Sequence, residues 1–487
     1  MLIRQTLLYL PAQTLVPLSQ LAAAVLWTFW LSHAAMGTYA LIWSVQELIG
    51  LLILSWWTSY VQRYATALHA DGRSAAFDAL EMTIQGAASV VQSVIALLAA
   101  SLLFEEPLTL SLALATLAFT VSRNVGNHFA ARARAQFEAL PYALNTITGS
   151  VLGLALGWIA VSQISATPEA LLFAYAIAQT AGLIIGVALM KTTPQKPNVD
   201  WTMLRDSWQF GAPVMMSASL SWVGNHAIRF IVEVGLGRAA VGLMSVGWWM
   251  GMRVTQFVGL LLMGAAYNVA VERMRSGGPQ AAVDQLAVNS GLLLAVLIPA
   301  AVGLLFLIAP VVTILVETSY RDVTQQILPL ALATGAARVF RDHGSDAACL
   351  VFEMPRLPPM FSAVDAGATI ALGSVGLWAG GVVGAAWGCL AASMLAAAVS
   401  ISVAHWRFGY HVRWRDCFKI SLATAVMALC LVLAPTQLSV MTLLFWIVLG
   451  AGVYTAVLAA IYPQERVKIS RALEPPLSRV LRVFHKP

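Results

Sequence analysis

Arg123, Arg229, Arg253 and Arg338 each interrupt a stretch of sequence that is otherwise apolar. A guanidinium is a planar fork of donors that binds phosphate bidentately and keeps its charge wherever it is placed. Four of them inside apolar segments point to an anionic substrate, and a diphosphate would suit the fork. Asn225 and His226 lie about one helical turn before Arg229 and project toward overlapping faces. Glu233 follows Arg229 by four residues and is spaced to pair with it. Glu47 is the deepest acid of the N-terminal part and the candidate for coupling to H+ or Na+; Asp365 is a second acidic candidate. Blander readings fit the same residues. Arg229 and Glu233 could snorkel at an interface, Arg123 and Arg338 could anchor helix ends, and Glu47 could pair with Arg253.

The elements that must hold these residues follow from composition. The chain has 487 residues, of which 59% are hydrophobic and 10% charged, with a mean hydropathy of +0.79. Soluble proteins run at about 45–50% apolar and about 25% charged. The composition specifies an all-α polytopic membrane protein and excludes a soluble enzyme, a secreted disulfide scaffold and a nucleic-acid-binding module. A span needs about 20 apolar residues. Stretches free of Asp, Glu, Lys and Arg, such as 5–46, 139–168, 285–316, 366–406 and 420–464, divide into about fourteen transmembrane helices. Gly37, Gly380-Gly381 and Pro435 are the expected breaks in the longest of them.

Of the 28 Lys and Arg residues, 22 fall in loops and tails on one side once the N-terminus is placed in the cytoplasm; Arg132, Arg134 and Arg341 are among them. Arg238 and Arg321 alone fall on the other side, and the four arginines above are left within spans. That asymmetry places both termini in the cytoplasm. Outer loops are short. The first, Ser32 to Met36, has no acid, and Glu105-Glu106 read as an interfacial stop rather than a catalytic pair. Gly-Lys never occurs, so the chain has no phosphate-binding loop of its own. Cys349, Cys389, Cys417 and Cys430 lack metal-site spacing. The paired tryptophans Trp56-Trp57, with Trp27, Trp30, Trp248 and Trp249, read as interfacial belts or as sugar-stacking groups.

Two segments repeat. Gly37 to Trp43 matches Gly242 to Trp248 at an offset of 205, and Arg123, His128, Phe137 and Glu138 match Arg338, His343, Phe352 and Glu353 at 215. The repeat divides the chain into an N-terminal six-helix half (1–190), a cytoplasmic linker (191–207), a C-terminal six-helix half (208–406), two further helices (407–463) and a basic cytoplasmic tail (464–487). Six is even, so the halves are parallel, the arrangement that secondary transporters use to alternate access to a midplane site.

At the level of motifs the sequence resembles the oligosaccharide flippases (Wzx-like proteins) of the multidrug/oligosaccharidyl-lipid/polysaccharide exporter superfamily. The resemblance lies in Gly37-Thr38-Tyr39, in Phe210-Gly211-Ala212-Pro213 and in Leu236-Gly237-Arg238-Ala239-Ala240-Val241-Gly242, and it extends over the 6+6+2 arrangement. It implies a MATE/MOP-like fold and no enzyme activity. It further implies export of a polyprenyl-diphosphate-linked oligosaccharide repeat across the bacterial inner membrane, for O-antigen, capsule or exopolysaccharide, with a polysaccharide polymerase and a chain-length regulator as partners. One departure concerns ion coupling: where many relatives carry an Asp-Arg pair, this chain has Ile228-Arg229. A multidrug or cation exporter of the same superfamily is the main alternative, and a membrane polysaccharide polymerase a more distant one. More arginine than acid in the spans favours the anionic substrate.

Overall fold

A computed structural model describes residues 2–103, 109–190, 195–435 and 438–462; Glu105-Glu106, Pro194, Gln437 and the basic tail lie outside them. Every regular element among these residues is a helix. The first six are α1 (Leu2–Leu26), α2 (His33–Ala70), α3 (Ser74–Leu103), α4 (Leu110–Ala135), α5 (Ala139–Ile164) and α6 (Pro168–Leu189). Starts are set by short polar caps: the Ser32, Thr109 and Thr167 side chains each accept a backbone N–H from the first turn.

Helical bonding then continues from Trp201 to Phe306, but Gly237 (φ 79°) and Gly278 (φ 77°) take a left-handed conformation and turn the chain twice. The pieces are α7 (201–236), α8 (238–277) and α9 (279–306). After α10 (Arg321–His343), the stretch Leu357–Phe408 divides at Gly380-Gly381 into α11 (357–379) and α12 (382–408). The chain ends in α13 (Trp414–Leu431) and α14 (Val440–Ile461). Counted before the glycine breaks, nine helical stretches among the described residues are long and apolar enough to cross a bilayer. The chain is a multi-pass membrane protein.

Two details correct the sequence reading. Gly37 does not break a helix: the chain turns at Trp27–Phe29 and Ser32, and Gly37 lies inside α2 against Gly242. Trp27, Trp57 and Trp248 are fully buried core groups rather than an interfacial belt, with Trp57 stacked on Tyr60 and Phe77. The duplicated turns are also built alike. Phe137 and Glu353 both take φ near 60° (60° and 58°), each followed by an N–H bonding the carbonyl five residues back, Glu138 to Ala133 and Met354 to Cys349.

The face of the bundle beside the loop at residues 71–73 is called the basic face below, and the face beside Ser32 the opposite face. On the opposite face α1–α6 are tied to α8–α10. Tyr320 donates to the Leu31 carbonyl (2.9 Å), the Glu317 N–H donates to Thr28 Oγ1 (3.2 Å), and His33 Nε2 lies 2.9 Å from Ser319 Oγ. On the basic face α7 packs on α2, with Gly211 against the Trp56 backbone and Arg73 bridging to Asp200 at 3.2 Å.

Candidate functional site

Three of the four intramembrane arginines converge on one acid. Glu47 projects from α2, and its side chain is 46% exposed although it sits mid-helix. It lies within electrostatic reach of Arg123 on α4, Arg229 on α7 and Arg253 on α8. Its carboxylate therefore stands among three guanidiniums. His226 Nε2 lies 3.4 Å from Glu47 Oε2, and the imidazole stacks flat on Trp222 (5.1 Å, 7°).

The arginines are held by different means. Arg229 is buried; its Nη1 donates to Ser44 Oγ (3.1 Å) and lies 2.6 Å from His226 Nδ1, and its guanidinium sits 5.2 Å from the centre of the Trp249 ring. Arg123 lies over Trp43 at 3.9 Å and near Phe119 at 5.9 Å. Arg253 shares a small chamber of about 30 Å³ with Gln20, Trp27, Tyr39, Trp43, Tyr175 and Trp249. A second chamber, lined by Arg123, Asn127, Ser122 and Gln179, also reaches Gln20. Aromatic faces steady a cation without cancelling its charge. Among the described residues neither Arg123 nor Arg253 makes a carboxylate hydrogen bond. The three guanidiniums and the Glu47 carboxylate sum to a formal charge of +2.

Arg338 stands apart. Its Nε and Nη2 hold the two Asp365 oxygens (3.0 and 3.1 Å), Nη1 donates to Asn225 Oδ1 (3.0 Å), and Nη2 also donates to the Gly224 carbonyl (2.8 Å). Asn225 and Asp365 therefore belong to a clamp that joins α7, α10 and α11, with Arg341 adding a bond to Asp365 at 3.3 Å. The two members of the duplicated pair do different things: Arg123 faces a cavity and Arg338 fills its own shell of oxygens.

Two residues expected in loops are buried instead. Arg132 is fully buried against Asp78 (2.6 Å) and Glu81, and Arg341 is buried against Asp342, Asp346 and Asp365. Their sequence neighbourhood is basic, and the charge count alone does not distinguish a helix end folded inward from a loop. His128 is buried too, between Glu81 and Thr58, 2.8 Å from each.

No protein-family profile matches the chain, and no curated relative does. Solved structures do. The lipid II flippase MurJ in an inward closed conformation superposes with a TM-score of 0.66 at 14% identity, over 95% of this chain and 99% of that one. An inward-facing multidrug resistance MATE transporter of the MOP superfamily gives 0.57 at 16% identity, over 83% and 94%. A MATE protein in its straight conformation gives 0.54 at 15%, over 84% and 95%. The chain has the fold of these transporters.

On that scaffold the site also draws on Ser44 and on aromatic residues that the sequence does not place beside the arginines. Ser44 joins α2 to both His226 and Arg229. Tyr39, Trp43, Tyr175 and Trp249 form the aromatic walls. Trp43 ends the repeated Gly37–Trp43 segment and Ser44 follows it directly, which is the signal that could have found Ser44. Trp249 sits four residues before Arg253, on the same helical face.

Proposed function

We propose that the protein is a secondary transporter that flips a polyprenyl-diphosphate-linked oligosaccharide across the bacterial inner membrane, with both termini cytoplasmic and the two six-helix groups alternating access. The observation that carries this reading is the gathering of Arg123, Arg229 and Arg253 around Glu47. A diphosphate diester carries two negative charges and loses its hydration on entering hydrocarbon. A cavity of formal charge +2, with bidentate donors held by aromatic faces, replaces that water. The same excess positive charge opposes a cationic drug.

The surroundings suit the rest of such a molecule. An apolar groove of about 570 Å³ runs between α9, α13 and α14, lined by Pro299, Gly303, Leu304, Met427 and Tyr454. It touches Val254, the neighbour of Arg253, so a polyprenyl tail in the groove would bring its diphosphate to the cavity. Glu47 is the proposed H+ or Na+ site, because the three arginines converge on it and its side chain is 46% exposed. The ties between the α1–α6 and α8–α10 groups on the opposite face match a state closed to the outside. MurJ, a flippase by its name, shares the fold over nearly the whole chain.

Polymer production in a deletion strain tests the reading, with membrane protein level measured alongside. Arg229→Ala and Arg253→Ala abolish export at normal protein level, and Lys at either position restores part of it. Full export by both alanine variants would defeat the proposal.

A further inference from the structure

Away from the arginine cavity, α3 and α4 press two polar stripes together. Thr116, Thr120, Asn124, His128 and Arg132 recur every four residues of α4, and all are buried. Asp78, Glu81, Gln85 and Gln92 form the facing stripe of α3, also buried. The stripes cross-link in antiparallel register. Asn124 Nδ2 donates to Gln92 Oε1 (2.7 Å), His128 Nε2 lies 2.8 Å from Glu81 Oε1, and Arg132 Nη2 donates to Asp78 Oδ1 (2.6 Å). Helix α2 closes the third side, with Gln46 Nε2 donating to Asn124 Oδ1 (2.5 Å) and Thr58 Oγ1 2.8 Å from His128 Nδ1.

The seam is not satisfied by its own side chains. Gln46 Oε1, both amide atoms of Gln85, Gln92 Nε2, Thr116 Oγ1 and Thr120 Oγ1 are buried without a hydrogen-bond partner among the described residues. Buried polar atoms are almost always bonded, and water supplies the bond where side chains do not. From Thr116 to Arg132 is sixteen residues, about 24 Å of helix at about 1.5 Å per residue, against a hydrocarbon core of about 30 Å. A row of donors and acceptors of that length can hold a file of water.

Titratable groups stand at its basic-face end and beside its middle. Toward the basic face, Asp78 and Glu81 share one guanidinium, Arg132, which leaves one negative charge beside His128. Glu138, at the start of α5, lies within electrostatic reach of Arg132. Midway along the seam Asn124 donates to the Gln46 carbonyl of α2 (3.4 Å), next to Glu47. There Arg123, Arg229 and Arg253 act on Glu47, and His226 faces it from α7.

We propose that this seam is a hydrated proton pathway through α2, α3 and α4, linking the Glu81–His128 pair at the basic face to Glu47 in the arginine cavity. It rests on the transporter reading and gives that transporter a route for its coupling proton. A proton from water at the basic face binds the Glu81–His128 pair and brings the cluster from a charge of −1 to neutral. It leaves to a water held by Gln85, and the cluster regains its charge. Successive waters between Thr120, Gln92, Asn124 and Gln46 pass it on to the Glu47 carboxylate.

Polar stripes also hold membrane helices together without conducting anything, and the test separates the two roles. The variants are Gln85→Leu with Thr120→Val, which remove orphaned polar atoms and no hydrogen bond to another side chain. A fluorescent undecaprenyl-diphosphate-linked disaccharide is the probe, in proteoliposomes with and without an imposed pH gradient; thermal melting checks the fold. The gradient should speed wild-type translocation by about fivefold or more. The double variant should translocate at the wild-type rate without a gradient and gain less than about twofold with one. Thr120→Ser, which keeps the hydroxyl, should respond as wild type. A double variant that responds fully would show packing only and overturn the pathway. Wild-type translocation indifferent to the gradient would overturn it while leaving the transporter reading standing. A wild type that moves no probe in either condition sinks both.

Discussion

Gly37 of α2 and Gly242 of α8, the same position in the repeated Gly-to-Trp segment, meet backbone to backbone. A Cβ on Gly37 would press into the Arg238 carbonyl, and one on Gly242 into the His33 carbonyl and the Gly37 amide. Backbone lies on both sides of the contact, so no side chain can swing away to make room. The close approach is what glycine supplies here.

Gly242→Val should therefore pry the opposite face apart. Spin labels at Phe29 and Asp322, both exposed on that face, report the separation. The distance between them is expected to lengthen in the variant. An unchanged distance distribution would mean that the glycine contact does not hold that face closed.

The Arg338 clamp should behave as a buried ion pair whose partner cannot escape. Arg338→Ala leaves Asp365 with Arg341 as its remaining cation and uncovers the Gly224 carbonyl, and should cost about 1–3 kcal/mol of stability. Arg338→Lys should recover little, because one ammonium cannot hold both Asp365 oxygens together with the Gly224 carbonyl. Thermal unfolding in detergent measures both. An alanine variant as stable as wild type would show that the clamp contributes nothing to the fold.

Arg132 and Arg134 are two residues apart and should differ sharply. Arg132→Ala uncovers Asp78 and Glu81 in a buried site, at about 3–5 kcal/mol. Arg134 is exposed, and its replacement should stay within about 0.5 kcal/mol. Equal losses from the two would contradict the buried placement of Arg132.

These contrasts mark what was legible in the sequence. Hydropathy and the placement of glycine and proline give the all-helical membrane class and the breaks at Gly380-Gly381 and Pro435, which lies between Leu431 and Val440. Of the arginines stranded in apolar stretches, Arg123, Arg229 and Arg253 gather around Glu47. Arg338 was not separable from Arg123, because its oxygen shell comes from Gly224, Asn225 and Asp365, far from it in sequence. Arg132 was read as a loop charge because counting by loops ignores direction. The four-residue rhythm from Thr116 to Arg132 was present in the sequence and goes unread when only charges are followed.

The proposed orientation has its own check. Single cysteines introduced near Ser32 and Pro168 should react with an impermeant maleimide added outside whole cells. Those near Gly72 and Gly277 should react only after permeabilisation. Outside labelling at Gly277 would break the parallel arrangement of the two six-helix groups.

The central claim is that the arginine cavity receives a diphosphate. The most direct measurement is binding of polyprenyl diphosphate and polyprenyl monophosphate to the purified protein in nanodiscs, with Arg123→Gln and Arg253→Gln compared against wild type. The account predicts that wild type prefers the diphosphate by about tenfold or more, about 1.4 kcal/mol, and that either substitution removes the preference while monophosphate binding changes little. Equal affinity of wild type for the two lipids, or a preference that survives both substitutions, would contradict it.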